Sequence, residues 1–354
     1  MEIGGEFWLD SIQNESNDEL PKWLSKYGNV VLTSSGRGAI TLLLNQLKPK
    51  FKTVLMPAYI CDSVILPFIE HGYSCYFYEV DENLSPNIES VNTYKEVGIF
   101  VHMGYYGFPT NFNLIEIITR LKSQSTVIVE DITHTLFSGY KRFEENDYYV
   151  ASIRKWFGLP SGGLLASIDN SKIIKSNLSY NESFSSMRRQ AFLLKSKYFK
   201  DGDESLKTLY LDLFAKAENL LDKDVLPYSI DYISKDLIAE LDVNRLTEMR
   251  RLNYNILNKS LKDVNRIESI FTDIPEEVCP MFYPVFIKNY RNEIRKKLIE
   301  EKIYCPIHWP IPDRIEINKF KRSFEVYNTI LSIPCDQRYM RCDMERVVSV
   351  LKGL

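Results

Sequence analysis

The sequence predicts an α/β protein: a large domain on a mostly parallel sheet, followed by a smaller C-terminal α+β domain. Three observations carry this expectation. From about residue 30 to 170, short runs rich in β-branched and aromatic residues alternate with helix-forming stretches. Residues 170 to 260 repeat apolar positions at helical spacing in a background of Lys, Glu, Asp, Ser and Asn. A further strand-like run and two helical ones then close the chain.

The expected strands are "NVVLTS", "TVLMPAY", "YSCYFYEVD", "VGIFVHMGY", "STVIVEDI", "YYVASI" and "GGLLASI". Next comes a connecting helical segment that includes "LIAELDVNRLTEMRRLNYNILNKSL". "MFYPVFIKN" reads as a strand, "RNEIRKKLIEEK" as an exposed helix and "DMERVVSVLKGL" as a closing helix. The division falls at 1–244 for the large domain with its connecting helices, and 245–354 for the small one.

Composition narrows the function classes. The 354 residues suffice for two domains with real cores. With 44 basic and 47 acidic residues the net charge is -3, so nothing favours nucleic acid or an anionic membrane, and an anionic ligand must be caught locally. No apolar run reaches membrane-spanning length and the start, "MEIGGEFWLD", is not signal-like, so a cytoplasmic location is expected. Six cysteines without a C-x-x-C pair and four scattered histidines suggest neither a disulfide framework nor a zinc cage.

In an open α/β sheet, ligands gather where strands end and loops begin. Four stretches lie at such ends: "TSSGRGA", "MPAYICD", "VEDITH" and "SIRK". In the first, Ser35, Gly36 and Arg37 open a helix whose N–H groups and dipole suit a phosphate, although a plain helix cap with a solvated Arg37 explains them equally. In the third, a buried strand delivers Glu130 and Asp131, with His134 three residues on. A carboxylate there calls for a cationic partner unless it caps the next turn. In the fourth, Lys155 interrupts two apolar runs. Apolar surroundings would disfavour its ammonium and free the amine for Schiff-base chemistry, and the bland alternative is a solvated loop lysine. Ser152 could face the same ligand.

A phosphate nest, a carboxylate and a later lysine, in that order, are what pyridoxal phosphate needs. The nest holds the phosphate, the acid keeps the pyridine nitrogen protonated, and the lysine carries the cofactor as an imine. The succession "SSGRGAITLLL", "MPAYICDSVILPFIEHGYSCYFYEVDENL", "FVHMGYYGFP", "VEDITHTLFSGY", "ASIRKWFGLPSGGLLAS" and "LSIPCDQRY" resembles the DegT/StrS family of fold type I pyridoxal-phosphate enzymes, largely nucleotide-sugar aminotransferases. The likeness is strongest from about 30 to 170 and weaker from 170 to 280.

The resemblance implies a homodimer with its active site at the interface. It implies Asp131 on the ring nitrogen, His134 near the phenolic oxygen and Lys155 as the cofactor-bearing lysine. Gly36 and Arg37, with Ser35 beside them and Ser152, fall at the phosphate positions. The partners implied are a keto nucleotide sugar and an amino-acid donor, with glutamate expected, in surface-polysaccharide or related sugar biosynthesis. Three departures stand out. Cys61 occupies the place of the usual ring-stacking aromatic, with Tyr59 close by; Arg37 replaces a small hydroxyl residue; and the segment from Ser152 to Gly162 and Gly163 is short. His308 in "CPIHWPIP" is a candidate substrate-side residue, with a packing turn of His308 and Trp309 as the alternative. Two rival functions remain: a relative that binds a sugar nucleotide or a partner without turnover, and a sugar dehydratase, against which Lys155 argues because those relatives carry histidine there.

Overall fold

In the computed structural model, residues 2–10, 20–169, 177–223 and 225–354 are described. The elements follow the expected order. After β1 (Ile3–Gly4) come β2 (Asn29–Thr33), α1 (Gly36–Gln46), β3 (Thr53–Pro57), α2 (Asp62–Glu70) and β4 (Ser74–Tyr78). Then follow α3 (Ile88–Asn92), β5 (Ile99–His102), α4 (Ile115–Ser123), β6 (Val127–Asp131), β7 (Tyr148–Ser152) and β8 (Gly163–Ser167). The connecting segment holds α5 (Glu182–Asp201), α6 (Glu204–Lys223), α7 (Tyr232–Ala239) and α8 (Val243–Leu261). The rest comprises β9 (Glu268–Ser269), β10 (Tyr283–Phe286), α9 (Arg291–Glu300), β11 (Ile303–Tyr304), α10 (Lys321–Thr329), β12 (Ile330–Ile333) and α11 (Arg341–Gly353). The start of the expected connecting segment, residues 170–176, lies outside the described residues.

The large sheet has the order β2-β8-β7-β6-β5-β3-β4. Strands β3 to β7 pair in parallel, while β8 is antiparallel to both β7 and β2, so one strand of seven is reversed. Both faces are covered, which is why its strands read as nearly continuous apolar runs. In β7, Tyr148 and Val150 pack with α1 and α2 residues such as Leu43, Val64 and Phe68 on one face. The alternate residues Tyr149 and Ala151 pack on the other with Trp156, Ile238 and Leu246.

The smaller sheet, β12-β10-β9, is antiparallel. Helix α8 runs unbroken across position 244/245. At the other end of the chain, β1 pairs with β11, so the first residues pack with the C-terminal part. Among the described residues no helix is long and apolar enough to cross a membrane.

Candidate active site

A cavity of about 280 Å³ opens where β2, β3, β5, β6 and β7 end. Its walls include Ser35, Gly36, Arg37, Cys61, Asp131, His134, Ser152, Lys155 and His308, so one space gathers all but one of the residues singled out in the sequence. The exception is Tyr59.

The floor is the start of α1. Ser35 caps the helix, its Oγ accepting from the Gly38 N–H at 3.0 Å. Gly36 lies hard against β7: a Cβ there would stand 3.1 Å from both the Cβ and the N of Ser152. Any side chain here would crowd the meeting of helix start and strand end. Cys61 holds the equivalent place on α2, as its N-cap residue, and accepts from the Ser63 hydroxyl at 3.0 Å.

Strand alternation separates the two acids that end β6. Glu130 points away from the cavity, to Arg142 at 2.5 Å and the Asn146 amide at 2.7 Å. Asp131, only 4% exposed, faces the cavity and accepts from the Thr133 N–H at 2.8 Å. Burial pushes its carboxyl up, and the hydrogen bonds from Thr133 pull the other way. No cationic side chain among the described residues pairs with it, so the partner expected from the sequence is not supplied by the described part of the chain.

His134 is buried, and its Nδ1 accepts from the Tyr106 N–H at 3.3 Å. Burial, with the charges of His308 and Lys155 adding to it, holds its basicity well below the usual imidazole value. With Nδ1 accepting from a main-chain N–H, the neutral form of the ring carries its proton on Nε2. His308 is pushed down to about 3, chiefly by burial and then by Lys155, and its Nδ1 meets the Ser332 hydroxyl at 2.8 Å.

Lys155 ends a short 3₁₀ turn, Ile153–Lys155, directly after β7. The apolar sheath expected around it is not what the fold provides. Lys155 is exposed at the cavity wall, and its charge is felt by the Glu6 and Glu218 carboxylates and by both imidazoles. The turn is tied to α6 beside it, where Arg154 pairs with Glu218 at 2.7 Å.

That helix also corrects the reading of Arg37. Its guanidinium donates to the Leu221 carbonyl and pairs with Asp222 at 2.8 Å, both on α6, so it clamps a helix instead of pointing a free cation into the phosphate cradle. Nearby, Glu218 of α6 accepts from Arg154 at 2.7 Å and from Arg188 at 2.8 Å, and Arg188 reaches Glu6 at 3.3 Å. Burial would raise the Glu218 carboxyl, but Arg154 and Arg188 outweigh it and hold the group far below the carboxylate range.

Tyr59 stands behind the wall as a second correction. Fully buried, it meets the Tyr106 hydroxyl at 3.0 Å and donates to the His308 carbonyl. Its ring lies 5.1 Å from that of Trp309, and Trp309, 5.2 Å from His134, is the aromatic that reaches the cavity. Thr133, Arg154, Glu218, Met281 and Trp309 are lining residues that sequence reasoning did not place in the site. Thr133 could have been found, since it sits inside "VEDITH" between two predicted site residues. Glu218 carried no local signal.

No protein-family model and no curated protein matches the sequence. Solved structures do match. PseC of Helicobacter pylori, an aminotransferase of pseudoaminic acid biosynthesis, is 11% identical over 98% of this chain and 99% of its own, with a TM-score of 0.70. The sugar aminotransferase CalS13 of Micromonospora echinospora is 16% identical over 93% and 89%, with a TM-score of 0.66. Spr1654 of Streptococcus pneumoniae, in its PLP form, is 14% identical over 98% and 92%, with a TM-score of 0.69. Over nearly its whole length, this chain has the fold of these enzymes, fold type I of the pyridoxal-phosphate proteins.

Proposed function

We propose that this protein is a pyridoxal-phosphate-dependent aminotransferase that moves an amino group, with glutamate as donor, onto a keto nucleotide sugar for surface-polysaccharide or related sugar biosynthesis. The observation that carries the reading is the convergence of Gly36, Asp131, His134 and Lys155 on one cavity at the strand ends. The donor set suits the cofactor. The buried Asp131 has no cationic partner among the described residues and matches a pyridinium; His134 presents Nε2–H to a phenolic oxygen; and the start of α1, closed on Ser152 through Gly36, suits a phosphate. Pyridoxal phosphate, when bound, supplies an electron sink for bond breaking at the amino-bearing carbon.

The chain's own residues would do the rest. Lys155 would hold the cofactor through Nζ, and as a free amine the same nitrogen would carry the proton between the substrate's α-carbon and the cofactor's imine carbon. Asp131 would hold its carboxylate against the ring nitrogen. His134 would orient the ring, and Trp309 and His308 would bound the sugar side. We further infer a cytoplasmic homodimer whose partner subunit completes the cavity, with the large domain reaching to about residue 244.

Purified protein should be yellow, or turn yellow with added pyridoxal phosphate. Borohydride reduction and peptide mapping should place the adduct on Lys155. Lys155→Ala should keep some cofactor through phosphate and ring contacts, yet transfer no amino group. A protein that binds the cofactor on another lysine, or none at all, would leave the binding-only reading standing instead.

A further inference from the structure

We propose that Thr133 is a positioning residue that ties the Asp131 carboxylate, through its main-chain N–H, to the turn that carries Lys155, through its hydroxyl. The inference rests on the aminotransferase reading and concerns how this chain keeps its acid and its lysine in register.

Thr133 follows Asp131 by two residues and lines the same cavity. Three hydrogen bonds radiate from it. Its N–H donates to Asp131 Oδ1 at 2.8 Å. Its Oγ1 accepts from the Ser152 N–H at 3.0 Å, and its carbonyl accepts from Trp156 Nε1 at 2.7 Å. Ser152 and Trp156 bracket Lys155, three residues before it and one after. One residue therefore grips both ends of the lysine turn and the acid at once.

The hydroxyl has a definite polarity. A threonine Oγ carries one proton, and here its lone pair takes the Ser152 N–H, which leaves that proton free for the Asp131 carboxylate. The Thr133 N–H donates to an acid whose burial favours protonation, and the hydroxyl acts on that acid in the same direction as the N–H. Both favour the ionised form, and an ionised Asp131 is the state that holds a ring nitrogen protonated. The main-chain bonds survive any substitution, so the side-chain contribution can be isolated.

The test compares Thr133→Ser, which keeps the hydroxyl, with Thr133→Val, which keeps the shape and loses it. Thr133→Ala serves as a second hydroxyl-less variant should valine not fold, with folding checked by thermal unfolding of the cofactor-free protein. Each variant is titrated with pyridoxal phosphate, and the bleaching of its visible band by L-glutamate is timed. Serine should stay within about twofold of wild type, and valine should lose about tenfold in cofactor affinity, in bleaching rate, or in both. In an Asp131→Asn background the same change should cost clearly less, because part of the hydroxyl's effect runs through the carboxylate while its bond from the Ser152 N–H is lost in either background. Valine equal to wild type, serine as impaired as valine, or undiminished loss in the Asp131→Asn background would overturn the inference. A wild-type protein that develops no visible band would instead defeat the aminotransferase reading itself, so the two failures are distinguishable.

Discussion

Two corners of one cavity are built in opposite ways. In the corner of Asp131, Thr133, Ser152 and Lys155, the hydrogen bonds span 2, 19 and 23 residues along the chain, and each uses a main-chain group on at least one side. In the corner of Arg37, Arg154, Arg188 and Glu218, the contacts span 184, 64 and 182 residues and run largely between charged side chains. The first is held by strand register and tight turns. The second depends on the docking of the α5–α6 hairpin. The difference teaches that the proposed chemical groups sit on strand ends and tight turns, while the outer wall of the cavity is a helix fastened by ion pairs.

The comparison breaks most visibly at Asp131. Asp131→Asn should leave melting temperature and some cofactor binding in place, while amino transfer falls by about 100-fold or more. Single-turnover kinetics with glutamate would measure this, and unchanged turnover would reduce the carboxylate to a turn cap. Next in size comes Gly36→Val. Because even a Cβ would come within 3.1 Å of Ser152, the branched side chain must part α1 from β7, and cofactor affinity should fall by about tenfold or more. Ser152→Ala should cost only about 1 kcal/mol of binding, the worth of one hydrogen bond.

The hairpin corner should answer in stability instead. Glu218→Gln leaves Arg188, which is 2% exposed, facing a neutral amide, but the carboxylate itself is 43% exposed and water screens part of the loss. A destabilisation of about 1–2 kcal/mol is expected in denaturant titrations. Its pH dependence has a definite sign. The folded-state pKa lies below the unfolded value of about 4.3, so the contribution is fully present above that value and disappears as pH falls through the folded one. The gap between wild type and variant should therefore be constant near neutrality and narrow on acidification. The smallest effect is expected from Arg37→Gln. Its partner Asp222 is exposed, so about 0.5–1 kcal/mol of stability should be lost, with cofactor affinity changed by no more than about twofold. A loss of tenfold in affinity would return Arg37 to the phosphate site.

Much of this was legible in the residues themselves. Every strand expected between 30 and 170 forms, and the stretches at their ends supply the cavity. Alternating burial in a sheet covered on both faces writes itself into local sequence, as in β7, where Tyr148 and Val150 face one layer and Tyr149 and Ala151 the other. Strand ends also determine which side chains can meet a ligand, and this is why Asp131, His134, Ser152 and Lys155 could be named together.

What local sequence could not decide was the partner of each charge. Arg37 read as a phosphate ligand because its neighbours along the chain resemble an anion nest, yet α6 arrives from nearly two hundred residues away to take its guanidinium. Lys155 read as sheathed by its apolar neighbours, but those side chains enter the core while its own lies exposed at the cavity wall. For the same reason Tyr59 lies behind the cavity wall while Trp309 lines it. Backbone periodicity is a short-range property and survives in the sequence. Charge pairing and aromatic packing depend on which distant surfaces are pressed together and how far they exclude water, and only the assembled fold settles that.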